Sequence, residues 1–126
     1  MTMKTLSKFD NKQRDRIFVQ LLRQIGLPEP ESEFRFTKER MWRFDFAYPQ
    51  ARLAIEIEGG VWNGGRHITG TGFEDDCEKY NSAALHGWFV LRIPTKFINK
   101  RDTFDLIKKC FEKHLDQSVA VKQNLF

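Results

Sequence analysis

Cysteine is nearly absent: the 126 residues hold only Cys77 and Cys110. Two thiols far apart make neither a disulfide scaffold nor a C-x-x-C metal clasp. Reduced thiols in a cytoplasmic setting are expected. No apolar run approaches the ~18 residues of a membrane span, so no membrane partner is expected. The opening stretch MTMKTLSKFDNKQRDR has no apolar h-region of the kind that marks a secretory leader. Repeats, low-complexity tracts and composition breaks are also missing. One domain over 1–126 is therefore expected, with its core at about 10–115 and a loose tail at 116–126.

What is present suits a packed fold with an anionic partner. Forty per cent of residues are hydrophobic, Phe alone numbers twelve, and the net charge is +4 with a pI near 9.2. A basic balance favours nucleic acid. Residues 10–25 carry Ile17, Leu21, Leu22 and Ile25 at helical spacing, with Lys12, Arg14, Arg16 and Arg23 outside and Gly26 as the stop. A short strand is expected near Glu33–Phe36. MWRFDFAYP alternates, with Trp42, Phe44 and Phe46 on one face and Arg43, Asp45 and Ala47 on the other. RLAIEIEGG alternates likewise, and Pro49-Gln50-Ala51 joins the two as a hairpin turn. A Gly-rich loop follows, then a helix over 73–86, a buried strand in WFVLRIP and a last helix over 102–115. The expected fold is α/β, in the order α-β-β-β-α-β-α, with a mixed central sheet flanked by helices.

The hairpin poses a chemical question. A turn centred between Gln50 and Ala51 sets Asp45 opposite Glu56 and Arg43 opposite Glu58. Like charges directly opposite destabilise a sheet. A divalent cation with oxygen ligands offsets that cost, and the Ile57 carbonyl beside Glu56 supplies a third oxygen. The plainer alternative is a wet sheet face with the acids paired to Arg43 and Arg52. Ala47 and Ala54 leave room beside the acids, and the adjoining loop adds Arg66 as a phosphate contact and Trp62 as a core anchor.

Three stretches, RFDFAYPQARLAIEIEGGVW, GGRH and DCEKYNSAALHGWFVLRIP, carry a resemblance over about residues 33–94. A strand-borne Asp followed by Glu-x-Lys on the next strand is the signature of the PD-(D/E)XK nucleases. This chain resembles the branch near the very-short-patch repair endonucleases and the small endonucleases of phages and mobile elements. It departs from the pattern at Tyr48-Pro49 and at Glu58, which stands where Lys is usual. The resemblance implies a restriction-endonuclease-like domain and a DNA endonuclease dependent on Mg²⁺ or Mn²⁺. Phage or mobile-element DNA processing, recombination or repair is the implied setting, in the host cytoplasm if the chain is phage-encoded. It assigns Asp45, Glu56, Glu58, His67 and Lys79 to catalysis, Lys79 standing in for the missing lysine. Arg43, Arg66 and Lys79 would contact DNA. Asp45, Glu56 and the Ile57 carbonyl would hold metal, with Glu33 and Asp76 as further candidates. A branched-DNA resolvase, which would need a homodimer, and a DNA-binding protein that lost cutting are the alternatives.

Overall fold

The computed structural model describes residues 11–59 and 70–124. The expectations for Trp62, Arg66 and His67 lie outside the described residues. Helix α1 spans Asn11–Gln24, and strands β1 (Glu31–Arg35), β2 (Arg43–Tyr48) and β3 (Leu53–Glu58) follow. Helix α2 (Gly70–Leu85), strand β4 (Phe89–Pro94) and helix α3 (Arg101–Asn124) complete the chain. The order is α-β-β-β-α-β-α, as the periodicities predict. Helix α2 begins before the predicted residue 73, and α3 runs on to Asn124 rather than ending near Leu115.

Local chemistry explains the boundaries. Gly26, at φ 94°, ends α1, and the Leu27 amide bonds back to the Leu22 carbonyl at 3.1 Å. Gly87, at φ 81°, ends α2 in the same way, with the Trp88 amide donating to Ala83. Both are left-handed glycine caps that satisfy the last free carbonyls of a helix. Pro49–Ala51 form a 3-10 turn, and Arg52 at φ 51° returns the chain into β3.

The sheet order is β1-β2-β3-β4, antiparallel except for the parallel β3–β4 pair. Ala47 faces Ala54 and Tyr48 faces Leu53, the register predicted for the hairpin. One face packs on α1 and α3: Phe18 and Leu22, with Phe104 and Ile107, cover Phe46, Tyr48, Leu53 and Ile55. Tyr48 is fully buried, and its hydroxyl donates to the Pro28 carbonyl at 2.9 Å. The other face packs on α2, where Phe44, Ala47, Ala54, Ala83 and Trp88 form a second cluster.

Two predictions about faces need correction. Phe44 does not share a face with Phe46; it packs with Ala47 and Trp88 on the α2 side. Strict alternation breaks at Asp45. On β1 the same break occurs at Glu33, which has φ 51° and is missing from an otherwise regular β1–β2 ladder. Strand β4 is also not buried on both sides. It is an edge strand, and Phe89 and Arg92 are exposed.

Candidate active site

The β2–β3 ladder stops at the Phe46–Ile55 pair. Past that point carboxylates replace backbone carbonyls as acceptors. The Asp45 amide donates to Glu56 Oε2 at 3.0 Å, and the Ile57 amide donates to Asp45 Oδ2 at 2.7 Å. Each acid is thus held by an amide of the opposite strand, and the two carboxylates lie side by side. Charged acceptors strengthen such bonds, which offsets part of the repulsion between them.

Glu56 is only 4% exposed. Burial pushes its carboxyl above the usual range, while the Lys79 ammonium and the Asp45 amide pull it back. Lys79, from α2, forms an ion pair with Glu56 Oε1. The sequence places Lys79 on the helix after the loop, and the structure turns it inward to the acid pair, near the Phe44 ring as well. The Tyr80 hydroxyl lies 3.4 Å from both Glu56 Oε1 and Glu58 Oε1. Burial, then the two carboxylates, drives the Tyr80 phenol far above its ordinary value.

Glu58 does not pair with Arg43. Its Oε1 accepts from Arg92 Nε at 2.9 Å, because β4 runs parallel to β3 and brings Arg92 beside it. The Arg92 guanidinium in turn covers the Tyr80 ring at 4.8 Å. Arg43 is exposed and lies opposite Arg35 on β1. Arg52 lies over the Trp88 ring instead. The plainer alternative of a wet face paired to Arg43 and Arg52 is therefore replaced by a half-closed cluster of Asp45, Glu56, Glu58, Lys79, Tyr80 and Arg92.

The remaining candidates fall around this cluster. Glu33 is exposed, level with Asp45 in the β1–β2 register. Asp76 is exposed on α2, and its field reaches Tyr80 and Arg92. Of Ile57, the amide is the engaged group, which fixes the peptide next to the predicted carbonyl ligand. Among the described residues no three Asp, Glu, His or Cys side chains converge as a metal cage.

Three neighbours escape a sequence reading. Asp15 on α1 is raised by burial, and Asp45 adds to that rise, so the two carboxylates feel each other. Arg14 offsets this from an adjacent position, 3.3 Å away. Only its place on the first helix hints at Asp15. Tyr80 and Arg92 carry no signal beyond their helix and strand phase relative to Lys79 and Glu58. Among known proteins, no family model matches the chain, and no curated protein or solved structure matches it at significance.

Proposed function

We propose that this chain is a metal-dependent DNA endonuclease with a restriction-endonuclease-like domain of the PD-(D/E)XK kind, acting in phage or mobile-element DNA processing, recombination or repair. One observation carries the reading. Where the hairpin ladder ends, Asp45 and Glu56 present adjacent carboxylates held by each other's strands, with a half-buried ammonium on one of them. A purely structural hairpin gains nothing from adjacent anions.

The donors are hard oxygens, which suit Mg²⁺ or Mn²⁺. Mg²⁺ is commonly held by one or two carboxylates together with substrate phosphate, so a protein cage of three acids is not required. Asp45 and Glu56 would hold the ion, with the Ile57 carbonyl beside them. The chemistry such a cation supplies when bound is polarisation of a phosphoryl oxygen and cancellation of charge. The chain's own residues do the rest. The Asp45 and Ile57 amides fix the carboxylates in advance, so no reorganisation is needed when phosphate arrives. Lys79 carries its ammonium to the same spot and would neutralise charge growing on the scissile phosphate. Glu58, occupied by Arg92, anchors that arginine and Tyr80 against the cluster. Arg43 and the basic face of α1 would contact DNA.

The test is cleavage of labelled duplex, mismatched, flap and four-way DNAs with Mg²⁺, by wild type, Asp45→Asn and Glu56→Gln. Wild type should cut at least one substrate, and both variants should be inactive yet folded. Cutting by either variant at near wild-type rate, or none by wild type on any substrate, overturns the reading. Paired cuts in a four-way junction would point to a homodimeric resolvase. A second reading, a DNA-binding protein without cutting, is favoured by Glu58 in place of lysine. It is marked by binding with no Mg²⁺-dependent product.

A further inference from the structure

The segment after β4 carries Lys96 and Lys100, and among the described residues no carboxylate pairs with either. Thr95–Phe97 form a 3-10 turn, and Arg101 opens α3. The ammonium groups of Lys96 and Lys100 lie 5.6 and 4.3 Å from the centroid of the Phe97 ring. Phe97 itself is half-buried and packs on the main core, so the ring is a fixed platform. Both lysines are exposed. Among the described residues neither joins a salt bridge, whereas Arg23, Arg40, Lys79 and Arg92 each do. The neighbouring acids on α3, Asp102 and Asp105, are exposed and bridge neither lysine. The ring attracts each cation modestly and holds both ammonium groups at one site. With no carboxylate paired to either, both charges are available to an anionic ligand.

Position gives the anion an identity. Strand β4 is parallel to β3, so the carboxyl ends of the two strands lie together, and Glu58 pairs with Pro94. Gly59 approaches Thr95 so closely that an added Cβ would stand 2.6 Å from Thr95 Oγ1. The segment therefore starts against the end of the strand that carries Glu56 and Glu58. Lys96 and Lys100 therefore follow the same sheet edge at which Glu56 and Glu58 close β3. We propose that Lys96 and Lys100, seated on Phe97, form a clamp for the DNA backbone phosphates that flank the reacting one. The clamp rests on the DNA reading above. It binds and does not touch the reacting atoms, so these lysines are binding residues.

The experiment measures binding of a fluorescein-labelled duplex by anisotropy, without divalent metal, from 50 to 200 mM salt. Each neutralised phosphate contributes roughly −0.9 to the slope of log affinity against log salt. Lys96→Gln with Lys100→Gln should flatten the slope by about 1.8, so that the variant loses about tenfold less affinity than wild type across that range. Lys96→Arg with Lys100→Arg should keep the wild-type slope. Lys108→Gln with Lys109→Gln removes the same charge from α3 and should keep it too. Thermal melts check that all variants fold. An unchanged slope in the Lys96 and Lys100 glutamine variant, or equal flattening in the α3 variant, overturns the clamp. Absence of any DNA binding by wild type overturns the clamp and the DNA reading together. A flattened slope in a protein that cuts no DNA supports the clamp while the nuclease reading fails.

Discussion

Replacing Lys79 by Met removes the ammonium and keeps most of the stem volume. The partner it abandons, Glu56, has a side chain only 6% exposed, and that of Lys79 is 15% exposed. Breaking a buried pair from one side costs about 3–5 kcal/mol, because the remaining charge is stranded. Glu56 has one escape, which is to take up a proton. From an unfolded-state pKa of about 4.3, protonation costs about 1.36 kcal/mol per pH unit, hence about 5 kcal/mol at pH 8 and about 1 kcal/mol at pH 5. The sign follows from linkage. In the variant the folded-state pKa of Glu56 lies further above its unfolded value. Its contribution to stability is then fully present below the unfolded pKa and lost as pH rises through the folded one. Urea unfolding of Lys79→Met should therefore show a loss of about 3–5 kcal/mol at pH 8 that shrinks to about 1 kcal/mol at pH 5. Adding Glu56→Gln removes the stranded charge while leaving an oxygen for the Asp45 amide. The double variant should return to within about 1–2 kcal/mol of wild type at pH 8. A loss under about 1 kcal/mol at both pH values, as for a solvated ion pair, would refute the buried pair.

The other expectations are shorter. Asp15→Asn should stabilise the protein at pH 7, since burial raises the Asp15 carboxyl and its ionisation opposes folding; the gain should vanish below about pH 3.9, where wild-type Asp15 is neutral in both states, and an unchanged gain at pH 3 would refute it. Gly59→Ala should cost about 1–3 kcal/mol by urea unfolding, because its Cβ meets Thr95 Oγ1 at 2.6 Å. Thr95→Ala in the same chain should recover most of that cost, since the Thr95 Cβ stands at an ordinary 3.6 Å.

Much of the fold can be read from particular residues. The turn residues at Pro49–Ala51 and the alternation of Leu53, Ile55 and Ile57 are enough to pair Ala47 with Ala54. Gly26 and Gly87 mark helix ends because only a left-handed residue closes those caps cheaply. The nearness of the acids is legible from the turn, since counting back from it sets Asp45 level with Glu56, but the way they are held is not, because the ladder stops at Phe46–Ile55 and side-chain bonds take over. Their partners are not legible from periodicity, and Lys79 enters only through the resemblance. Arg92 reaches Glu58 only because β4 runs parallel beside β3, and Lys79 and Tyr80 reach Glu56 only because α2 packs over that face. Such contacts depend on the relative placement of elements, which periodicity does not encode. Phe44 misleads for a different reason: alternation assumes an unbroken pleat, and the pleat breaks one residue later.

That break has a backbone origin that can be tested. Glu33 adopts φ 51°, a left-handed conformation that costs a residue with a Cβ roughly 1–2 kcal/mol. The β1–β2 register would set it opposite Asp45, yet that pair alone is missing from the ladder. On one side of the break Ser32 pairs with Phe46, and on the other Phe34 pairs with Phe44, which packs against α2. The strands keep their register while their side chains change faces, and Asp45 stands at the crossing, with its carboxylate free to reach the Ile57 amide. If the strain is held at Glu33, Glu33→Gly should relieve it and stabilise the fold by about 0.5–1 kcal/mol, after the entropy that glycine adds to the unfolded chain. Glu33→Val should cost at least about 1 kcal/mol, since a branched Cβ tolerates positive φ worst. Glu33→Gln, which changes charge but not shape, should stay near wild type. Urea unfolding of the three variants decides the matter. A valine variant as stable as wild type beside a weakened glycine variant would mean that β1 is regular at this point, and the turned position of Asp45 would then need another cause.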